Sequence, residues 1–187
     1  ARAVILCVGG KSLPRSGSTG DGYPMVERVG HTVTPLFPSL VPLRTEGPRD
    51  LAGVALRDVQ GRALVGGRVA GKSFRGDMLF THTGISGPIV LQLSRAIAAG
   101  LSAQQPTSVV VDLTPDLSRD RLLGELSVRV AEAGKAQAAS LLRNDLPKAV
   151  VPVVLEGAGI DPTRKAAELG KKSLGKLADV MKGWSFP

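Results

Sequence analysis

Two hydrophobic patterns divide the chain, with a change near Thr114. Residues 3–8, AVILCV, form an unbroken apolar run that ends at Gly9-Gly10. Such a run predicts a buried parallel strand that leads into a tight turn. A polar, glycine-rich loop follows, and the spacing of apolar residues then predicts a short helix over residues 23–29.

Short, glycine-punctuated apolar segments dominate the region before Thr114. Prolines at positions 35, 38, 42 and 48 predict an extended stretch over residues 31–48. Residues 53–69 predict a hairpin that turns at Gln60-Gly61. Further elements are predicted at 76–84 (strand), 88–101 (helix) and 108–114 (strand).

Helical periodicity begins after Thr114. One apolar stripe consists of Leu122, Leu123, Leu126 and Val130, and a second of Leu174, Leu177, Ala178 and Met181. Leu141, Leu142 and Leu146 fit a short helix between the two stripes. The predicted fold class is therefore α+β, with a small antiparallel β-barrel at 36–116 and a helical subdomain at 117–187.

Composition narrows the class of protein. Aromatic residues make up only 3% of the 187 residues, so base-stacking platforms are scarce. Residues 1–117 and 118–187 each hold twelve basic and eight acidic side chains, and this even division predicts no nucleic-acid partner. A single cysteine and the lack of a long apolar run predict a cytoplasmic protein without a membrane partner. Two histidines assemble no metal spacing.

The stretch GGRVAGKS, Gly66 to Ser73, matches the G-x-x-x-x-G-K-S spacing of a phosphate-binding P-loop. In a P-loop, however, the lysine and serine begin a helix whose N-terminus faces the phosphate. Ser73 instead precedes a β-type run bounded by glycines. Lys72 is therefore predicted as a solvated residue beside a hairpin, and Asp112 as a turn acceptor rather than a magnesium ligand.

A family resemblance rests on several stretches in a fixed order. They are Gly9-Gly10, GSTGDGYPMVERVGH at 17–31, PSLVPL at 38–43, LFTHTGISGPIVLQLSR at 79–95 and VVDLTPDLS at 110–118. Together they resemble the BaiN-like family of FAD-dependent oxidoreductases, which includes aminoacetone oxidase-like enzymes. In that family a β-barrel and a helical subdomain interrupt a Rossmann-type FAD domain.

The resemblance implies that residues 1–35 close the first FAD-binding segment. It assigns Gly9, Gly10, Ser18, Thr19, Gly20, Asp21 and Gly22 to the cofactor. Asp21 has an alternative role as the cap of helix 23–29. The G-x-G-x-x-G fingerprint of the family is not in the sequence, so the chain is interpreted as a fragment without bound FAD that is inactive alone.

The resemblance also places His82 and Ser86, in THTGISGP, toward the flavin and the substrate. Each has a structural alternative, since Ser86 occupies an expected N-cap position and a lone histidine often serves packing. A small-molecule substrate and NAD(P)H are the expected partners. Two other functions stay open from the residues alone: a free-standing barrel-and-helix binding module, and the P-loop nucleotide-binding protein.

Overall fold

The computed structural model describes residues 2–47 and 49–187. Two residues lie outside the described ones. They are Ala1, which begins the predicted FAD-binding segment 1–35, and Pro48, which ends the predicted extended stretch 31–48. Two compact units are present, Ala1–Pro38 and Ser39–Pro187.

The first unit contains one helix, α1, at Gly22–Arg28, preceded by a 3₁₀ turn at Pro14–Ser16. The predicted helix at 23–29 is confirmed within one residue. The predicted strand at 3–8 is wrong, because no strand in the described part of the chain pairs with it. A buried strand requires a neighbour for its N–H and C=O groups, and here the side chains of Val4 and Ile5 are 84% and 87% exposed.

The second unit is built on one antiparallel sheet. Its strands are β1 (Leu43–Arg44), β2 (Ala55–Val65), β3 (Arg68–Thr81), β4 (Gly84–Ser86), β5 (Thr107–Asp112) and β6 (Trp184–Phe186). Their order across the sheet is β1-β4-β3-β2-β5-β6. The predicted strand at 108–114 is confirmed by β5 within two residues. The predicted strand at 76–84 covers only the second half of β3, and its end is wrong because the chain turns at residues 82–83 before β4. Strand β6 was not predicted.

The sheet curls into a half-barrel. In a flat sheet β3 and β6, three strand spacings apart, would be separated by about 14 Å. The ring centroid of Phe80 on β3 nevertheless lies 5.6 Å from that of Trp184 and 5.9 Å from that of Phe186 on β6. The three aromatic side chains therefore bring the two strands together inside the curve.

Helix α2, Pro88–Ser102, fills the concave side of the half-barrel and confirms the predicted helix at 88–101. A methyl group added to Gly61 on β2 would lie 3.0 Å from both Ile89 and Leu93. The missing side chain at Gly61 thus lets the helix approach the sheet closely. Leu101, predicted on the apolar face of this helix, is 58% exposed at its end.

The hairpin between β2 and β3 turns at Gly66-Gly67, so the predicted turn at Gln60-Gly61 is wrong. Both turn glycines have positive φ, 57° and 75°, as the tight turns that match strand twist require. Gln60 and Gly61 lie within β2 and pair with β3 and β5. Gly61 allows α2 to pack against the sheet. The sequence alone does not distinguish a glycine needed for packing from a glycine needed for a turn.

Helices follow β5, as predicted. They are α3 (Arg119–Glu132), α4 (Val150–Gly157) and α5 (Lys171–Lys182), with 3₁₀ turns at Ala138–Leu142 and Ala166–Glu168. The buried side chains of these helices and of the half-barrel form one core cluster. The α+β class with barrel and helices is confirmed, whereas the boundaries at 35/36 and 116/117 stay predictions. Across the described residues, no helix has the length and apolar character needed to span a membrane.

Candidate functional site

The glycine loop of the first unit, residues 9–22, contains all seven predicted cofactor residues. Gly9 has a left-handed backbone with φ of 74°, and a methyl group added there would meet no described atom within 4 Å. The corresponding position on Gly10 lies 3.3 Å from the Tyr23 hydroxyl oxygen. Gly9 therefore offers bare, open backbone, and Gly10 lies against the first turn of α1.

Gly20 and Gly22 are buried by packing within this unit. A methyl group added to Gly22 would lie only 2.6 Å from Val8 Cγ2. One added to Gly20 would lie 3.2 Å from Lys11 Cβ and from Tyr23 Cδ2. The two predicted glycine segments thus come together, and these two glycines are needed for that approach whether or not a ligand binds.

Among the seven predicted cofactor residues, Ser18, Thr19 and Asp21 are those that carry side-chain oxygen atoms. Thr19 and Asp21 are exposed and Ser18 is half-buried. Asp21 occupies the N-cap of α1, but its φ and ψ are helical and its side chain accepts no capping hydrogen bond. The alternative prediction that Asp21 caps the helix is wrong, because a capping side chain needs the extended backbone that this residue does not adopt.

This loop fits part of a dinucleotide site. Open left-handed backbone at Gly9 allows a flat ligand to approach closely, and Thr19 and Asp21 present oxygen atoms for its hydroxyl groups. The burial of Gly20 and Gly22 is explained by packing against Lys11 and Val8. The assignment of all seven residues to FAD stays a prediction.

His82 and Ser86 lie in and beside the β3–β4 hairpin. His82 is exposed in the two-residue turn, and Ser86 is half-buried as the last residue of β4. The N-cap of α2 is Gly87, so the structural alternative for Ser86 as a cap is wrong. Among the described side chains, no hydrogen bond joins His82 to Ser86. Their role near a flavin stays a prediction.

The glycines of THTGISGP have a structural cause. A methyl group added to Gly84 would lie 2.2 Å from the Leu43 carbonyl oxygen, and one added to Gly87 would lie 2.9 Å from that of Asp77. Both glycines have φ values, 154° and 96°, that side chains other than glycine rarely adopt. They let β1 and β3 cross beside the hairpin at backbone contact distance.

The P-loop interpretation fails on geometry. Lys72 and Ser73 lie within β3, so no helix begins at these residues. Asp112, which a magnesium site would need, accepts a hydrogen bond from the Thr114 amide at 2.9 Å and pairs with Lys182 Nζ at 2.6 Å. Asp112 is the turn acceptor that the sequence predicts.

A charged network on the convex side of the sheet was not predicted. Arg75 donates to Asp58 at 2.7 Å and to Asp116 at 2.6 Å. Hydrogen bonds from Arg75 lower the pKa of both carboxyls. The same bonds raise the pKa of Arg75, and the bond to Asp58 has the larger effect, followed by the bond to Asp116. These side chains are far apart in sequence, and only the β2–β3 register and the β5 exit bring them together.

Comparison with known proteins places the chain. Residues 37–187 match the family described as HI0933-like protein barrel and H2TH domain. A Clostridium scindens protein named 3-dehydro-bile acid delta(4,6)-reductase is 34% identical over 170 residues, which cover 90% of this chain and 41% of the relative.

Two further relatives are named ribosomal RNA dihydrouridine synthase. The Haemophilus influenzae protein is 34% identical over 98% of this chain and 43% of its own length. The Escherichia coli protein is 35% identical over 65% of this chain and 29% of its own length. The chain thus spans less than half the length of these relatives. Its fold and sequence show that it belongs to the HI0933-like family of FAD-dependent oxidoreductase-related proteins.

Proposed function

We propose that this chain is the barrel-and-helix part of a bacterial FAD-dependent reductase. The family match over residues 37–187, on a half-barrel filled by α2, carries the proposal. The glycine loop at 9–22 would supply one edge of the cofactor site. The remainder of the cofactor site would come from sequence outside these 187 residues, so the chain alone would be inactive.

The chemistry would belong mainly to the cofactor. Bound FAD supplies hydride transfer, with NAD(P)H as the proposed reductant. The chain's own residues would orient the partners. Gly9 and Gly10 would allow the cofactor to approach the backbone. Ser18 and Thr19 would donate hydrogen bonds to the cofactor or accept them from it, and the Asp21 carboxylate would accept them. His82 and Ser86 are the proposed residues on the substrate side.

Two substrate classes follow from the relatives. A small unsaturated molecule is the first, in line with the relative named as a bile acid reductase. A uridine base in RNA is the second, favoured by two relatives named as ribosomal RNA dihydrouridine synthases. In both cases the names denote addition of hydrogen to an unsaturated ring.

The test is flavin retention by the product of the complete open reading frame. We expect the purified product to carry visible flavin absorbance. The Gly9→Ala variant should lose most of this absorbance, because the added methyl group would occupy the open space beside the backbone that the cofactor needs. Gly53→Ala is the matched control, since Gly53 is also left-handed, with φ of 86°, and equally open. Absence of flavin from the unaltered product would favour the free-standing binding module, and full retention by Gly9→Ala would remove the loop from the cofactor site.

A further inference from the structure

The net charge of the helical region is concentrated in one short segment. Residues 164–176 hold five basic side chains and one acidic side chain, for a net charge of +4. The rest of residues 118–187 holds seven of each sign. The even division between the two parts of the chain therefore conceals a focused excess.

Four lysines of this basic segment are exposed, and in the described part of the chain no acidic side chain pairs with them. They are Lys165, Lys171, Lys172 and Lys176. The fifth cation, Arg164, is engaged by Glu168 at 3.3 Å. Two other arginines of this region, Arg119 and Arg129, pair with carboxylates, and Arg119 does so with Asp179 at 2.5 Å. Lys135 and Lys148 are also exposed without a carboxylate partner among the described residues, but the basic segment holds four such lysines within twelve residues.

The positions of three lysines are locally unfavourable. Lys171 and Lys172 lie in the first turn of α5, where the helix dipole repels positive charge. Lys172 and Lys176 are four residues apart, a spacing at which like charges repel on a helix. A bound polyanion would relieve both effects.

The apolar side chains of the basic segment are buried in the core. Leu169, Leu174 and Leu177 are 5%, 3% and 0% exposed, and Ala166 is fully buried. The cations are therefore presented on a packed surface. Because the apolar face of α5 is buried, it is not available to enter a lipid surface, as amphipathic membrane helices require.

We propose that the basic segment, residues 164–176, binds the phosphate backbone of RNA. The inference rests on the second proposed substrate and replaces the expectation of no nucleic-acid partner. Four cations distributed over twelve residues suit a chain of phosphates better than one small anion, since Lys171 and Lys172 diverge around the helix. Binding here would be sequence-independent and would position an RNA on the protein.

The test compares two charge-matched variants of the 187-residue chain. The first replaces the four lysines of the segment by Gln. The control replaces Arg62, Lys72, Arg95 and Arg143, which are also exposed and without a carboxylate partner in the described residues, by Gln. Fluorescence anisotropy with a labelled RNA stem-loop is followed between about 50 and 200 mM KCl, and circular dichroism checks that both variants are folded.

We expect the segment variant to bind at least roughly tenfold more weakly at the lowest salt, with a log–log salt slope lower by about 3. The control should retain most of the affinity. Equal weakening in both variants, no RNA binding by the unaltered chain, or segment-dependent binding to phosphatidylserine vesicles without RNA binding would each overturn the proposal. The assay needs no flavin, so its failure leaves the proposed redox function standing, and loss of flavin binding leaves this result interpretable.

Discussion

At the scale of single residues, glycines in this chain serve separable purposes. Gly84 allows β1 to pass at contact distance, and a methyl group there would meet the Leu43 carbonyl oxygen at 2.2 Å. Gly124 in α3 has ordinary helical backbone and no described neighbour within 4 Å of that position. Sequence shows both as glycine and does not separate them, because the difference lies in what packs beside each residue.

Gly84→Ala should therefore destabilise the fold by about 3 kcal/mol or more, from backbone strain together with overpacking. Gly124→Ala should be stabilising by about 0.5–1 kcal/mol, since alanine is the better helix former. Urea unfolding of the two variants measures both effects. Similar stability for the two variants would mean that β1 does not approach Gly84 as described.

A second residue-scale prediction concerns Arg75. Because its hydrogen bonds lower the pKa of Asp58 and Asp116 below the ordinary value of 3.8, the network stabilises the fold above that pH. The stabilisation is lost as the pH falls through the lowered folded values. Arg75→Gln should therefore lower the free energy of unfolding near neutral pH. The difference in this free energy between the variant and the unaltered chain should become smaller in acid.

Arg62→Gln is the control for this effect. Arg62 is exposed on β2 and has no carboxylate partner among the described residues. Its substitution should give a small difference that does not change with pH. A pH-independent effect of Arg75→Gln, measured by unfolding at several pH values, would contradict the network.

At the scale of elements, the sequence predicted helices better than strands. The stripes of α2, α3 and α5 repeat over three or more turns, so their period is unmistakable. In contrast, the three residues of β6 carry no readable period. The strand at 3–8 has the right composition but lacks a partner in the described chain, which composition does not reveal.

The β2–β3 hairpin excludes the P-loop interpretation, because Lys72 and Ser73 lie in a strand. Because Lys72 is exposed within β3, Lys72→Ala should change the free energy of unfolding by no more than about 0.5 kcal/mol. Calorimetric titration of the unaltered chain with ATP and magnesium should show no binding in the micromolar range. Micromolar binding that disappears in Lys72→Ala would restore the nucleotide-binding interpretation.

Strand β6 should matter to stability because it returns the chain to the half-barrel. Phe186 is 2% exposed and packs on Phe80 and Trp184. Phe186→Ala should cost about 3–5 kcal/mol, whereas truncation of the exposed Leu101 should cost less than about 1 kcal/mol. Equal costs in chemical denaturation would show that β6 is not part of the core.

At the scale of the whole molecule, the order of several stretches indicated the family, whereas a single motif was not sufficient to indicate function. The stretch GGRVAGKS matches the spacing of a P-loop, but its residues form the β2–β3 turn and the beginning of β3. The candidate site was only partly predictable: the two glycine segments do meet, but the structural roles of Gly20 and Gly22 depend on Lys11 and Val8, which no pattern singled out. The basic segment was missed because charge was counted over long stretches.

The last prediction concerns the cofactor at this scale. We expect the 187-residue chain to purify colourless, and we expect the product of the complete open reading frame to carry flavin, in line with the proposed function. A dinucleotide is held chiefly by the glycine fingerprint at a helix N-terminus and by a downstream acid on the ribose, and the sequence contains no G-x-G-x-x-G.

The glycine loop alone offers a few amides, four side-chain hydroxyls and the Asp21 carboxylate. These contacts are too few to offset the loss of translational and rotational freedom on binding, about 4–15 kcal/mol. Visible absorbance after gel filtration, with and without added FAD, measures the outcome for both proteins. Stoichiometric flavin on the 187-residue chain would show that its own residues hold the cofactor, and the search for the site would then move to the half-barrel and the turn that carries His82.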